Sequence, residues 1–195
     1  MSGVALDQLK HDFEMFKDQC RLLFQTRNTF DSLYSDEFVK ELLYTSAKWF
    51  FDDLHRTLKD AYILQVARIT DPAKTGTNSN LSAQYFSKQL ETHGLSTDEI
   101  TNLLVNINKY RRLTNKARSK LVAHNDLKSF RERTKLGAHE WEDMQDFLGD
   151  IVDFTDRVAR QLGLPPEDYR AEAREGDVID LIRLLKKARK QKETK

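Results

Sequence analysis

The residues best suited to chemistry lie in one stretch, Lys109–Asp126. It carries six cations, Lys109, Arg111, Arg112, Lys116, Arg118 and Lys120, with no acid before Asp126. Within it, Arg118 and His124 stand six residues apart. Histidine titrates near neutral pH, so it can take a proton or give one. Arginine stays charged and grips a phosphate through two parallel hydrogen bonds. The surrounding cations can hold a nucleic-acid backbone electrostatically. The same charge pattern also suits a helix dipole with no ligand at all, because cations gather late in the helix and Asp98 and Glu99 at its start. His124 follows Leu121-Val-Ala and could equally be a packed histidine bonded to a carbonyl.

Geometry constrains the pair. At about 100° per residue, positions 118 and 124 point roughly 120° apart on an ideal helix. For the two groups to act together, the helix must end or distort near Val122, or a second subunit must complete the site. The expected helix end is within a residue or two of His124.

The elements that must position this stretch are helical. Leu6, Leu9, Phe13, Phe16, Cys20, Leu23 and Phe24 repeat at helical spacing and predict a helix over about 4–27, broken by the cap-forming residues 26–35. A second helix is expected from Ser35 to about Thr70, ended by Asp71-Pro72. Uninterrupted, it would run roughly 50 Å as a central spine. Its expected buried stripe is Phe38, Leu42, Ala47, Phe51, Leu54, Leu58, Ala61, Tyr62 and Ile69. Residues 73–80 read as a polar loop, and Ser82 as the cap of a short helix closed by Gly94. Ser96 and Glu99 fit a capping box for a long helix to about His124. A charged connection follows. A helix over about 139–162 then places Trp141, Met144, Phe147, Leu148, Ile151, Phe154, Val158 and Leu162 inward. Its other face carries Asp143, Asp146, Asp150 and Asp153, expected to be solvated or paired with the basic helix rather than to hold a metal. A last helix opens at Asp177, with Val178, Leu181, Ile182 and Leu185 inward, and runs into a basic end expected to be disordered. Arg68, Asp71 and Asp60 suggest an ion pair locking the end of the spine.

Composition sets outer bounds. The chain has 195 residues, 39% apolar and 32% charged, with three prolines and seven glycines, which favours long helices in one domain. We divide it into a helical bundle over 1–165 and a C-terminal helix and basic tail over 166–195. Lone Cys20 reads as a small buried apolar residue. No basic leader with an apolar run and no membrane-length apolar segment occurs, so a cytoplasmic location is expected. Net charge is +1, so nucleic-acid affinity would have to come from local patterning.

Three segments together resemble a known family. They are Trp49–Leu54 through Ala67-Arg-Ile-Thr-Asp-Pro72 with Asn80-Leu-Ser82, then Arg118–Asp126, then the helix after it. Over roughly residues 10–160 the chain resembles the HEPN superfamily, in particular its AbiU2-like branch, named after an abortive-infection protein. The resemblance implies an all-α, antiparallel up-and-down bundle of four to five main helices that forms a homodimer. It also implies a metal-independent endoribonuclease of phage defence or a toxin system, with a composite site at the dimer cleft and no cofactor. Arg118 and His124 would be the catalytic pair. Arg111, Arg112, Lys116, Ser119, Lys120, Asn125 and Asp126 would hold RNA or orient the imidazole. One position departs from the pattern: active members commonly carry Asn, Asp or His after the Arg, where this chain has Ser119. The expected partners are RNA, a second copy and a cognate antitoxin protein. The alternative is a non-catalytic helical module that binds RNA, a nucleotide or a partner protein.

Overall fold

The structure, a computed structural model, describes residues 4–119, 140–169 and 175–193. Among them the chain is all-α: α1 Leu6–Tyr34, α2 Glu37–Thr70, α3 Ala83–Thr92, α4 Asp98–Ala117, α5 Trp141–Leu162 and α6 Val178–Glu193. The exception is a ladder of two-residue strands, β1 Lys74–Thr75 and β2 Asn78–Ser79, in the expected polar loop. Gly76 takes the turn at φ 60°, which a side chain would resist. No helix is long and apolar enough to cross a membrane among these residues.

The helices form two compact units. Unit 1 comprises Met1–Leu23 and Ile63–Tyr169, and unit 2 comprises Phe24–Tyr62 and Arg170–Lys195.

In unit 1, Phe13, Phe16 and Phe86 form an aromatic knot. The Phe86 centroid lies 5.2 Å from that of Phe13 and 5.0 Å from that of Phe16, which joins α1 to α3. Asp12 accepts from the Tyr85 hydroxyl at 2.9 Å along the same seam. Helix α5 runs antiparallel to α4. Glu99 meets Arg157, Asn106 meets Asp150, and Tyr110 stacks on Phe147 at 4.4 Å, so one index rises as the other falls. Met144, Phe147, Ile151, Phe154 and Val158 face inward, as their helical spacing predicts. Trp141, the first residue of the helix, departs from that prediction and is exposed. Cys20 is buried and reduced, and burial pushes its thiol pKa up.

Unit 2 has its own core of Leu33, Val39, Leu43, Phe51 and Ile182. Several expectations fail here. Helix α1 does not stop near residue 27 but continues to Tyr34. Arg27 pairs with Asp31 one turn on, and Leu33 is buried, so tertiary packing overrides the cap-forming residues. Helix α2 is not one straight spine, since Ala47 breaks it at φ −157°, ψ 69°. The hydroxyls just before the break bond back into the ladder: Thr45 Oγ1 donates to Glu41 O at 2.9 Å, and Ser46 Oγ to Leu42 O at 2.7 Å. Of the expected stripe, Phe38 and Ala47 are exposed, the latter at the break itself, while Leu42 and Phe51 are buried. The basic end, expected to be disordered, is helical through Glu193. Arg189 pairs with Glu41 at 3.0 Å, which ties α6 to α2. Leu181 is exposed, and Ile182 is the residue that enters the core.

Candidate functional site

Helix α4 delivers the basic stretch. Its cap is Thr97, not Ser96, with the Thr97 hydroxyl accepting from Ile100 N at 3.3 Å. That shifts the register by one, and Glu99 pairs with Arg157 instead of reaching back to a cap. The other expected caps hold. Ser82 accepts from Tyr85 N at 3.3 Å to open α3. Gly94 closes α3 at φ 68°, where Leu95 N reaches back to Leu90 O at 2.8 Å.

Along α4, Arg111 is half-buried and Arg112 is exposed. Arg111 and Arg118 are seven residues apart, two helical turns, so they share a face. The side chain of Lys116, and all of Lys120, His124, Asn125 and Asp126, lie outside the described residues. The expected helix end near His124 lies there too. The α-helical ladder closes at Ala117, and residues 118–119 take π-helical geometry. Arg118 N–H is shared between Thr114 O and Asn115 O, and the Ser119 hydroxyl donates to Asn115 O at 2.8 Å. One carbonyl, Asn115 O, thus serves two donors at the end of the described ladder. π turns inside helices are rare and concentrate at functional sites. The relative orientation of positions 118 and 124 lies outside the described residues.

Arg118 is anchored. Its Nη1 lies 3.4 Å from Asp71 Oδ1, and both side chains are partly shielded from solvent. The expected ion pair at the end of α2 therefore forms with a different cation. Arg68 is exposed, Asp60 is exposed, and Asp71 reaches Arg118 across the chain.

The segment that holds Asp71 is built residue by residue. Ile69 and Thr70 are buried, and Thr70 Oγ1 donates to Val66 O at 2.7 Å. Pro72 stops the helix, leaving Asp71 just past its last turn. Asn80 Nδ2 then donates to Pro72 O at 2.7 Å and to Thr75 Oγ1 at 2.8 Å, closing the loop. Ser82, two residues on, caps α3. The Ala67–Pro72 and Asn80–Ser82 segments thus form one hydrogen-bonded shelf, and its carboxylate faces Arg118. The missed signal was the partner of Asp71, which no helical spacing connects to residue 118.

The acidic face of α5 lies elsewhere in unit 1. Asp143, Asp146, Asp150 and Asp153 line a groove of about 480 Å³ with Asn106, Lys109 and Tyr110. Asn106 donates to Asp150 at 3.5 Å. Burial raises the Asp150 pKa, helped by Asp146 and Asp153 and opposed by Asn106 and Lys109. Among the described residues, no group of three or more His, Cys, Asp or Glu could hold a metal ion.

Comparison with known proteins gives one match. A family model described as AbiU2, of the HEPN type, matches residues 4–181. No curated protein and no solved structure matches the chain.

Proposed function

The chain belongs to the AbiU2 family of HEPN domains, and from that premise we propose that it is a metal-independent endoribonuclease acting in abortive infection or as a toxin. The observation that carries the reading is the Arg118–Asp71 pair. It joins the Arg of the Arg-to-His spacing to the Ala67–Pro72 stretch on which the resemblance rests. A guanidinium held this way is pre-organised to meet a phosphate without first losing its rotamer freedom.

The chemistry follows from the residue types. His124 takes the proton of a ribose 2′-hydroxyl, which attacks the adjacent phosphorus. Arg118 stabilises the charge gathering on the phosphorane oxygens. A second imidazole protonates the departing 5′-oxygen, so two copies of the chain give one site both a base and an acid. The products are a 2′,3′-cyclic phosphate and a free 5′-hydroxyl. Arg111, Arg112, Lys116 and Lys120 hold the RNA backbone, Ser119 and Asn125 hydrogen-bond nearby, and Asp126 orients the imidazole. A homodimer is part of this proposal, as is a cognate antitoxin protein that silences the site.

The test is purified protein with single-stranded RNA in excess EDTA. Cleavage that disappears in both Arg118→Ala and His124→Ala supports the reading. Cleavage that persists in either variant contradicts it. Salt-sensitive RNA binding with no turnover would instead favour the non-catalytic module.

A further inference from the structure

Among its described residues, unit 2 exposes four large rings. Phe38 is 51% exposed, Tyr44 46%, Trp49 74% and Phe50 61%. All four lie on α2, on either side of the break at Ala47. Without the break, Trp49 and Phe50 would follow the phase of the preceding turns. With it, Phe51 enters the core while its neighbours stay outside. The Phe50 ring packs edge-on against Phe51 at 5.1 Å, so an exposed ring rests on a buried one.

Cations accompany the rings. Lys48 Nζ lies 5.2 Å from the Trp49 ring centroid. Lys186 Nζ and Arg189 Cζ lie 5.4 and 5.7 Å from that of Phe38. The helix that brings the last two carries Arg183, Lys186, Lys187, Arg189, Lys190 and Lys192 without an acid between them. Surfaces that dock proteins enrich aromatic residues but shed lysine. Surfaces that take single-stranded nucleic acid combine rings for stacking with cations that track the backbone. The exposed rings of α2 and the basic run of α6 together fit the second description, with the acids Glu37, Glu41, Asp52 and Asp53 interspersed on α2 and Glu41 paired with Arg189.

We propose that this face binds single-stranded RNA, with a base stacked on Trp49, its neighbour on Phe50, and the phosphates led along the cations of α6. The choice of RNA over DNA rests on the ribonuclease reading; the surface itself does not depend on cleavage. It uses none of the residues assigned to the reaction.

The chain has two tryptophans, Trp49 and Trp141, so the Trp141→Phe protein reports on Trp49 alone. That protein, also carrying Arg118→Ala so that the strand survives, is titrated with a 12-residue oligouridylate while its fluorescence is followed. The expected result is saturable quenching that weakens as salt is raised, and none with duplex RNA of the same length. Phe50→Ala should weaken binding at least about fivefold. Lys186→Gln with Lys187→Gln should flatten the salt dependence while far-ultraviolet circular dichroism stays unchanged. Absence of quenching at micromolar protein and strand would overturn the proposal. So would Trp49 emission that shifts with protein concentration in step with a doubling of mass by sedimentation, since a second copy would then cover the face. Quenching in this protein, together with no RNA cleavage by the unaltered chain in EDTA, would retain this surface and remove the ribonuclease reading alone.

Discussion

Among the described residues, the carboxylate that pairs with Arg118 is Asp71. The Asp71 contact is partly exposed, so its direct stabilisation is on the order of 1 kcal/mol or less. Its larger effect is on where the guanidinium points. We therefore expect Asp71→Asn to lower the RNA cleavage rate about tenfold, equivalent to about 1.4 kcal/mol of barrier, with the melting temperature nearly unchanged. An unchanged rate would mean that the pair has no positioning role. Asp150 behaves in the opposite way. Burial raises its pKa, so the native state holds the proton more tightly than the unfolded chain does. Its contribution is favourable below the ordinary carboxylate range, near pH 4, and is lost as pH rises through the raised native value. Asp150→Asn should accordingly stabilise the protein at pH 7, by a few tenths of a kcal/mol after allowance for solvent screening, and give no gain near pH 3. Chemical denaturation at the two pH values checks this.

The elements show which signals survive from the sequence. Ser82, Gly94, Pro72 and the inward face of α5 were all legible, because capping, left-handed backbone and helical periodicity are local. The break at Ala47 was not legible, since the hydroxyls of Thr45 and Ser46 are common in helices and only sometimes open the ladder. Nor was the full length of α1, because beyond the local Arg27–Asp31 pair the support for residues 28–34 comes from contacts distant in sequence. Tyr34 is one such residue: its hydroxyl donates to Phe51 O at 2.8 Å. Of the candidate site, the basic run and the Arg-to-His spacing were readable, whereas the Asp71–Arg118 contact spans 47 residues and has no local trace. The junction of α1 and α2 also predicts a pH response. His55 sits 5.1 Å from the Phe30 ring and 4.8 Å from the Tyr34 ring. Burial lowers its pKa, assisted by Lys59 and Lys40 and opposed by Asp52. A depressed histidine contributes stability above its unfolded pKa, near 6.5, and loses it as pH falls through the native value. The unfolding free energy of His55→Phe should thus vary less between pH 7 and pH 5 than that of the unaltered protein.

At the scale of the whole molecule, a net charge of +1 gives no long-range pull on RNA. Any affinity must come from concentrated charge, in the run from Lys109 to Lys120 and in the run from Arg183 to Lys192. Binding should therefore fall steeply with salt even though the protein is nearly neutral. If the site is shared between two copies and uses both imidazoles, adding excess His124→Ala chain to the unaltered chain should lower cleavage more than dilution does, because each mixed dimer keeps a single imidazole. Cleavage that falls only in proportion to the unaltered chain would confine the site to one copy. The most direct measurement is the chemistry of the RNA ends produced in EDTA. The account predicts 2′,3′-cyclic phosphate and 5′-hydroxyl termini from the unaltered protein, and intact RNA from His124→Ala. Termini carrying a 5′-phosphate, or the same cyclic ends from His124→Ala, would contradict it.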